Sequence, residues 1–255
     1  MMYNWIYSYL WINKFQMPLI SGLNFFHVHN PRCGGTSLNM AFFHSGLTSL
    51  STLDYKQCDM TNFYGIYRPV VHKIPGESKK LELDHLSISQ VLSRLDIKQI
   101  YSLHFLSTIR HPWERFVSEY KRKVQRGDQR FLPVGDSSIT TYLENFLCRV
   151  KGSSDSFLNQ FQSSHFWPQH LFADFAAHAD IKSFSVLRLE NLDADWGDLQ
   201  SKWNFKAPFK RRYSNATLDG GSRSDDAEIR DLKSSSLYRE FQDFYRLDYD
   251  LFGYE

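Results

Sequence analysis

The chain has 255 residues, with 30 Lys and Arg against 28 Asp and Glu and an apolar fraction of 42%. That apolar fraction excludes wholesale disorder. A net charge of +2 excludes a globally basic nucleic-acid coat. The length suits one large domain or two small ones. With no repeat, low-complexity tract or linker in view, it is read as a single domain over 1–255, with a short extension at 1–20. The departure from average is aromatic: 16% of the chain, including 21 Phe and 14 Tyr. Three cysteines (Cys33, Cys58, Cys148) form no C-x-x-C pair, which points to free thiols and no zinc site.

Met1 to Leu19 is apolar in patches broken by Asn4, Asn13 and Lys14. It is too short to span a membrane, and it lacks the basic start and small-residue cleavage site of a secretory signal. A short helix packed on the domain, or touching a partner, is expected there. Leu23 to His29 is rich in strand formers and ends at the Asn30-Pro31 turn signal. Gly34-Gly35 and Thr36-Ser37 follow, then Leu38, Ala41 and Phe42 at helical spacing, with Gly46 as the stop. Residues 50–86 read as irregular. Ser87-Ile-Ser-Gln90 has the capping-box pattern, ahead of Val91, Leu92 and Leu95. Residues 101–109 read as a second strand, handing over at Arg110-His111-Pro112 to a helix whose first turn suits Pro. Further helices are expected over 138–150, around 166–178, over 193–203 and over 226–246, with a strand from Ser183 to Leu189. Strands alternating with helices predict an α/β fold with a mainly parallel central sheet flanked by helices.

Two strand-to-helix loops carry chemistry. In Pro31-Arg32-Cys33-Gly34-Gly35-Thr36-Ser37 the glycines let backbone N–H groups face an anion, because no Cβ blocks the approach. The following helix points its positive end at the same spot, Thr36 and Ser37 add hydroxyls, and Arg32 adds a cation. This is a phosphate cradle without the Walker spacing. In the second loop, Arg110 stands at a strand's carboxyl end and Ser118 two turns into the helix, where ligands bind in parallel sheets.

Together the loops resemble the 5′- and 3′-phosphate-binding loops of sulfotransferases that use 3′-phosphoadenosine-5′-phosphosulfate. Asp84-His85-Leu86-Ser87, His165-Phe-Trp-Pro-Gln169, Arg188-Leu-Glu190-Asn-Leu192 and the ending Asp248-Tyr-Asp-Leu-Phe-Gly-Tyr254 resemble the carbohydrate branch of that family. The resemblance runs from about Phe25 to the C-terminus. It implies a P-loop-like fold and in-line sulfuryl transfer to a hydroxyl of an oligo- or polysaccharide, with no metal required. It also implies residue roles. Arg32, Cys33, Gly34, Gly35, Thr36 and Ser37 would hold the phosphosulfate, Arg110 and Ser118 the 3′-phosphate, and Arg211 and Arg212 would lie in a late loop that closes over the nucleotide. The chain departs from the family at Arg32, where Lys is usual. Arg keeps the charge but replaces a point donor with a planar fork.

A histidine is the default general base near neutral pH. His85 is the first candidate, with His72, His165 and His104 behind it. His165, Trp167 and His72 are taken as acceptor contacts, and Trp113 and Phe166 as further stacking platforms. Lys121, Arg122, Lys123 and Arg126 are placed to meet acidic groups on a glycan. No nucleic-acid partner and no membrane span are expected. A cytoplasmic location is expected, with the Golgi lumen as the alternative for an anchored or fragmentary chain. The competing classes are a P-loop phosphotransferase, which needs an acid for Mg²⁺ where this chain has Arg110, and a catalytically weak nucleotide- or glycan-binding relative. Charge supports a nucleotide: residues 110–130 hold seven Lys and Arg against three acids, and residues 204–215 hold four against none. A basic patch on an acidic body suits a compact, multiply charged anion.

Overall fold

A computed structural model describes residues 19–20, 24–44, 62–63, 66–67, 72–73, 80–81, 87–92, 102–127, 138–152, 165–206 and 223–255. The chain divides into two compact units, Met1–Ile109 with Leu171–Arg211, and Arg110–His170 with Arg212–Glu255. Neither unit is one contiguous stretch of sequence.

The first unit is built on a sheet of β1 (Leu19–Ile20), β2 (Phe25–Val28), β7 (His104–Ile109) and β8 (Phe184–Arg188), in that spatial order. β1 pairs antiparallel with β2, whereas β2, β7 and β8 are mutually parallel. Every residue of β2 and β7 is buried. A parallel strand covered on both faces explains why these segments read as near-continuous strand formers rather than as an alternation. On one face Phe25, Leu106 and Leu187 pack with Leu38 and Phe42 of α1 (Gly35–His44) and with Trp196 and Leu199 of α6 (Leu192–Trp203). On the other, Phe105 lies against Phe26 and Phe175.

Ser107 and His104 inside this sheet are paired. Ser107 Oγ donates to the Val28 carbonyl at 2.8 Å. His104 bonds the hydroxyls of Ser183 at 2.7 Å and Ser185 at 2.9 Å, with its ring between Phe25 and Trp203. Burial, helped by the Lys202 charge, pushes the His104 imidazole down to about 4. Within 50–86, the described residues form two short antiparallel pairs, β3 (Asn62–Phe63) with β4 (Ile66–Tyr67) and β5 (His72–Lys73) with β6 (Lys80–Leu81). α2 spans Ile88–Leu92, with the Val91 amide on the Ser87 carbonyl.

The second unit holds α3 (Pro112–Gln125), α4 (Ile139–Gly152), α7 (Arg223–Leu232), α8 (Ser236–Phe244) and α9 (Arg246–Phe252). Its core accounts for much of the aromatic excess. Trp113, Phe116, Tyr142, Phe146, Phe166, Tyr238, Phe241 and Tyr245 form one buried cluster, mostly in edge-on or tilted contacts. Such pairs add roughly 0.5–1.5 kcal/mol each beyond the area they bury. Glu228 of α7 caps α4: its carboxylate accepts from Ser138 Oγ (2.6 Å), Thr140 N (3.1 Å) and Thr140 Oγ1 (2.6 Å). Burial alone would raise this carboxyl, but those hydrogen bonds hold it below its ordinary value.

Two helices expected from periodicity are broken. The stretch around 166–178 holds only α5 (His170–Ala173) and a 3₁₀ turn, Phe175–Ala177. The Asp174 side chain accepts from Ala177 N and restarts the turn, and Asp248 captures the Gln169 and His170 amides. The stretch 226–246 is two helices, because Ser235 leaves the helix and accepts from Tyr238 N, capping α8. A serine run favours such caps over helix interior. The N-terminal helix expected over 1–19 lies outside the described residues, apart from Leu19 in β1. No helix among the described residues is long and apolar enough to cross a membrane.

His104 makes a pH prediction. Its folded value lies below its ordinary 6.5, so neutral His104 contributes stability above about pH 6.5 that is lost as pH falls toward 4. The thermal midpoint should decline over that window, by at most about 1.4 kcal/mol of stability per pH unit from this group. His104→Gln should flatten the decline. An unchanged slope in the variant would remove His104 as its source.

Candidate functional site

In the first unit, the chain leaves β2 at Val28 and enters α1 at Gly35. Two residues of the connecting loop take left-handed backbone, Arg32 at φ 67° and Gly34 at φ 82°. The Gly34 carbonyl accepts from Ser37 N at 2.9 Å and Leu38 N at 3.2 Å, which starts the helix. The first amides of a helix have no partner within it, so they face outward with the positive end of the dipole. Packing enforces the glycines. A Cβ on Gly34 would stand 2.7 Å from Leu189 Cδ1, and one on Gly35 would stand 3.1–3.3 Å from the rings of His27 and His29. Cys33 is fully buried, with its Sγ on the Pro31 carbonyl at 3.5 Å. Arg32 is half-buried. A left-handed non-glycine residue costs roughly 1–2 kcal/mol, which the close packing around it must offset.

His27 and His29 were not singled out by sequence. Their spacing of two on a strand, running into the glycine loop, was the available signal. Both are buried, their rings 5.8 Å apart, and they form the floor beneath Gly35. The Arg188-to-Leu192 motif also gains a role. Leu189 presses on Gly34, Leu192 joins the core, and Asp195 ties the turn through Arg188 N (2.7 Å) and Asn191 Nδ2 (2.7 Å).

In the second unit, His111 caps α3. Its Nδ1 accepts from Trp113 N at 3.2 Å, and its Nε2 donates to the Glu255 carbonyl at 3.0 Å. The buried Gln169 side chain grips the peptide of Arg110, accepting from Arg110 N at 2.9 Å and donating to Arg110 O at 2.7 Å. Asp248, also fully buried, accepts from Gln169 N (2.6 Å), His170 N (2.9 Å) and His170 Nδ1 (2.8 Å). The Arg110 guanidinium, half-buried, has no hydrogen-bond or ion-pair partner among the described residues. Arg115, one turn before Ser118, is instead a buried strut whose Nη1 donates to the Trp167 carbonyl at 2.8 Å. Ser118 is half-buried on the same helix.

Glu119 is fully buried. It accepts from Arg122 Nε at 2.7 Å and from Arg122 Nη2, and it bonds His165 Nδ1 at 3.2 Å, with Lys123 at 3.9 Å. Burial would raise this carboxyl, but His165 and Arg122 outweigh it and hold it far below the usual range. Arg122 and Lys123, expected to face a glycan, are therefore engaged by Glu119.

The stacking expectation is corrected for Trp113 and Phe166. Both rings are buried in the aromatic core, and a ring with no exposed face cannot stack on a sugar. Trp167 is buried too, at 5% exposure. His104 drops out as a base, since both ring nitrogens are bonded to serines inside the sheet. His165 keeps a partly exposed ring with a buried carboxylate behind it. His85, Arg211 and Arg212 lie outside the described residues. Of His72 only its place in β5 is described, and of Thr36 only its place in the first turn of α1.

The glycine loop and Arg110 both follow the carboxyl ends of parallel strands, the edge where ligands bind in α/β sheets. A family model described as the sulfotransferase family matches residues 45–255. The chain belongs to that family, and sulfuryl transfer is its chemistry. The match includes the Arg110 loop and both buried carboxylates but begins after the glycine cradle, which stands on its own geometry. No curated protein and no solved structure matches the chain significantly.

Gly34→Ala tests the cradle. The left-handed backbone costs an alanine roughly 1–2 kcal/mol, before Leu189 has to give way. A thermal melt should show a midpoint several degrees lower. An unchanged midpoint would mean that the loop does not hold this conformation.

Proposed function

We propose that the protein transfers a sulfuryl group from 3′-phosphoadenosine-5′-phosphosulfate to a hydroxyl of an oligo- or polysaccharide. The observation that carries this reading is the pair of handovers from β2 and β7. The strands are parallel, with Val28 in register with Ser107, so the chain leaves both at one edge of the sheet. One exit is the glycine cradle; the other leads into Arg110. A donor with phosphate at both its 5′ and 3′ positions needs two separate anion sites, and a plain nucleoside triphosphate does not.

When bound, such a donor supplies an activated sulfuryl group whose transfer expels a nucleotide phosphate. The residues present fit it, because the left-handed turn at Gly34 leads straight into the first turn of α1, whose leading amides have no carbonyl partner within the helix. The Gly34–Thr36 amides, the Thr36 and Ser37 hydroxyls and Arg32 would neutralise charge at the 5′ end, where positioned donors lower a barrier most. Arg110 and Ser118 would hold the 3′-phosphate, and Arg211 and Arg212 would cover the nucleotide. His85 is assigned the acceptor's proton, with His72 and His165 on the acceptor side. Positioning and charge neutralisation are the protein's main work in a transfer of this kind. Arg32 keeps a permanent charge but offers a fork where a lysine offers a point donor.

The test is a titration of 3′,5′-adenosine bisphosphate against ATP–Mg²⁺, followed by an assay of labelled sulfate transfer to a glycan panel. Preference for the bisphosphate with transfer to a saccharide is expected. Preference for ATP–Mg²⁺ would overturn the donor assignment, and bisphosphate binding with no transfer would leave a binding protein. Arg110→Ala should weaken bisphosphate binding by tenfold or more, the scale of one lost charge-assisted contact, with little change in melting. His85→Ala should abolish turnover in a folded protein. Retained turnover would move the base elsewhere.

A further inference from the structure

We propose that Gln169 and Asp248 are positioning residues for the 3′-phosphate end of the donor, acting by holding the Arg110 peptide in place. This rests on the reading above that Arg110 receives that phosphate.

Arg110 is one residue past the end of β7 and two before the first residue of α3. It therefore has neither a strand ladder nor a helix to satisfy its own N–H and C=O. Backbone polar groups away from water must be paired somewhere. Here one side chain takes both. The Gln169 amide accepts from Arg110 N at 2.9 Å and donates to Arg110 O at 2.7 Å, reproducing a strand pairing where no strand lies. Two bonds to one residue fix the plane of its peptides, and with them the direction of its Cα–Cβ bond. A single bond would leave rotation about its axis.

Gln169 is held in turn. Its own amide donates to Asp248 Oδ2 at 2.6 Å, and His170 donates its backbone N–H (2.9 Å) and its Nδ1–H (2.8 Å) to Asp248 Oδ1. A fully buried carboxylate is costly unless its lone pairs are used, and three donors use them. The neighbour on the other side is also fixed, because His111 caps α3 with one nitrogen and bonds the Glu255 carbonyl with the other. Three supports thus converge on two consecutive residues. The chain segments that supply them are distant in sequence: Asp248 lies 79 residues from Gln169, and Gln169 lies 59 from Arg110.

What this scaffold leaves over is the Arg110 guanidinium, unpaired among the described residues. A rigid peptide carrying an uncommitted cation is the arrangement expected of a pre-organised anion ligand. The ordering entropy is met during folding rather than at binding.

The experiment compares 3′,5′-adenosine bisphosphate with adenosine 5′-monophosphate by calorimetric titration of the full chain. The ratio of the two dissociation constants isolates the 3′-phosphate. Wild type should prefer the bisphosphate by about tenfold or more. Arg110→Ala should abolish the preference. Gln169→Leu, which removes both clamp bonds, and Gln169→Glu, which keeps the volume and the bond to Arg110 N but sets an oxygen against Arg110 O, should each bring the ratio to within about threefold of Arg110→Ala. The monophosphate affinity should be unchanged. If Gln169→Leu does not fold, Gln169→Glu and Asp248→Asn carry the test. Gln169 variants that melt lower yet keep the wild-type ratio, while Arg110→Ala loses it, would overturn this inference and leave the function standing. A wild type that does not distinguish the two nucleotides would overturn the role of Arg110 itself, and this inference with it.

Discussion

A side chain at Gly34 or Gly35 would collide with the protein packed around the loop, and the first unit is arranged around that constraint. Leu189 closes on one glycine and the His27 and His29 rings on the other, so each Cβ position is already taken by protein. The parallel strands beneath supply the floor. β2 and β7 bury every side chain and hold the loop's entry point, while α1 carries its exit into a shared core with α6. The left-handed backbone at Arg32 and Gly34 is what turns the chain fast enough for the helix to begin at Gly35.

The second unit solves a different problem, which is how to keep ionised groups inside a core of rings. Glu119 and Asp248 are both fully buried carboxylates, and each is surrounded by donors. Such groups contribute little net stability over an apolar substitute, but removing one partner leaves a charge stranded at a cost of about 3–5 kcal/mol. They therefore fix geometry more than they add stability. Glu119 holds Arg122 and Lys123 on its own helix and ties His165 to α3, and Asp248 ties the 169–170 turn to α9. Glu119 titrates far below its ordinary value, so its contribution is in place above the usual carboxylate range and is lost only in strong acid.

Much of this was legible in the sequence because it is local. The two strands, the glycine loop, Pro112 at a helix start and the helix start after Ser87 are signals carried within a few residues, and each stands where the pattern put it. The acid-free turn over 233–235 was missed because the helical period of 226–246 continues through it, and only the Ser235 cap shows the break. The platform reading of Trp113 and Phe166 failed for a physical reason: an aromatic stripe at helical spacing looks the same whether it faces a ligand or a core. Gln169 and Asp248 appeared in motifs, but their pairing spans 79 residues and no local pattern encodes it. His27 and His29 had a readable spacing and no readable purpose until Gly35 was seen between their rings.

The proposed function assigns the glycine loop to the 5′-phosphate of a nucleotide and Arg110 to its 3′-phosphate. A crystal structure with 3′,5′-adenosine bisphosphate tests it most directly. The 5′-phosphate is expected on the Gly34–Thr36 amides and the 3′-phosphate on the Arg110 guanidinium, with the Gln169 clamp intact. A nucleotide bound with neither phosphate at these loops, or with Arg110 pointing away from it, would overturn the proposal.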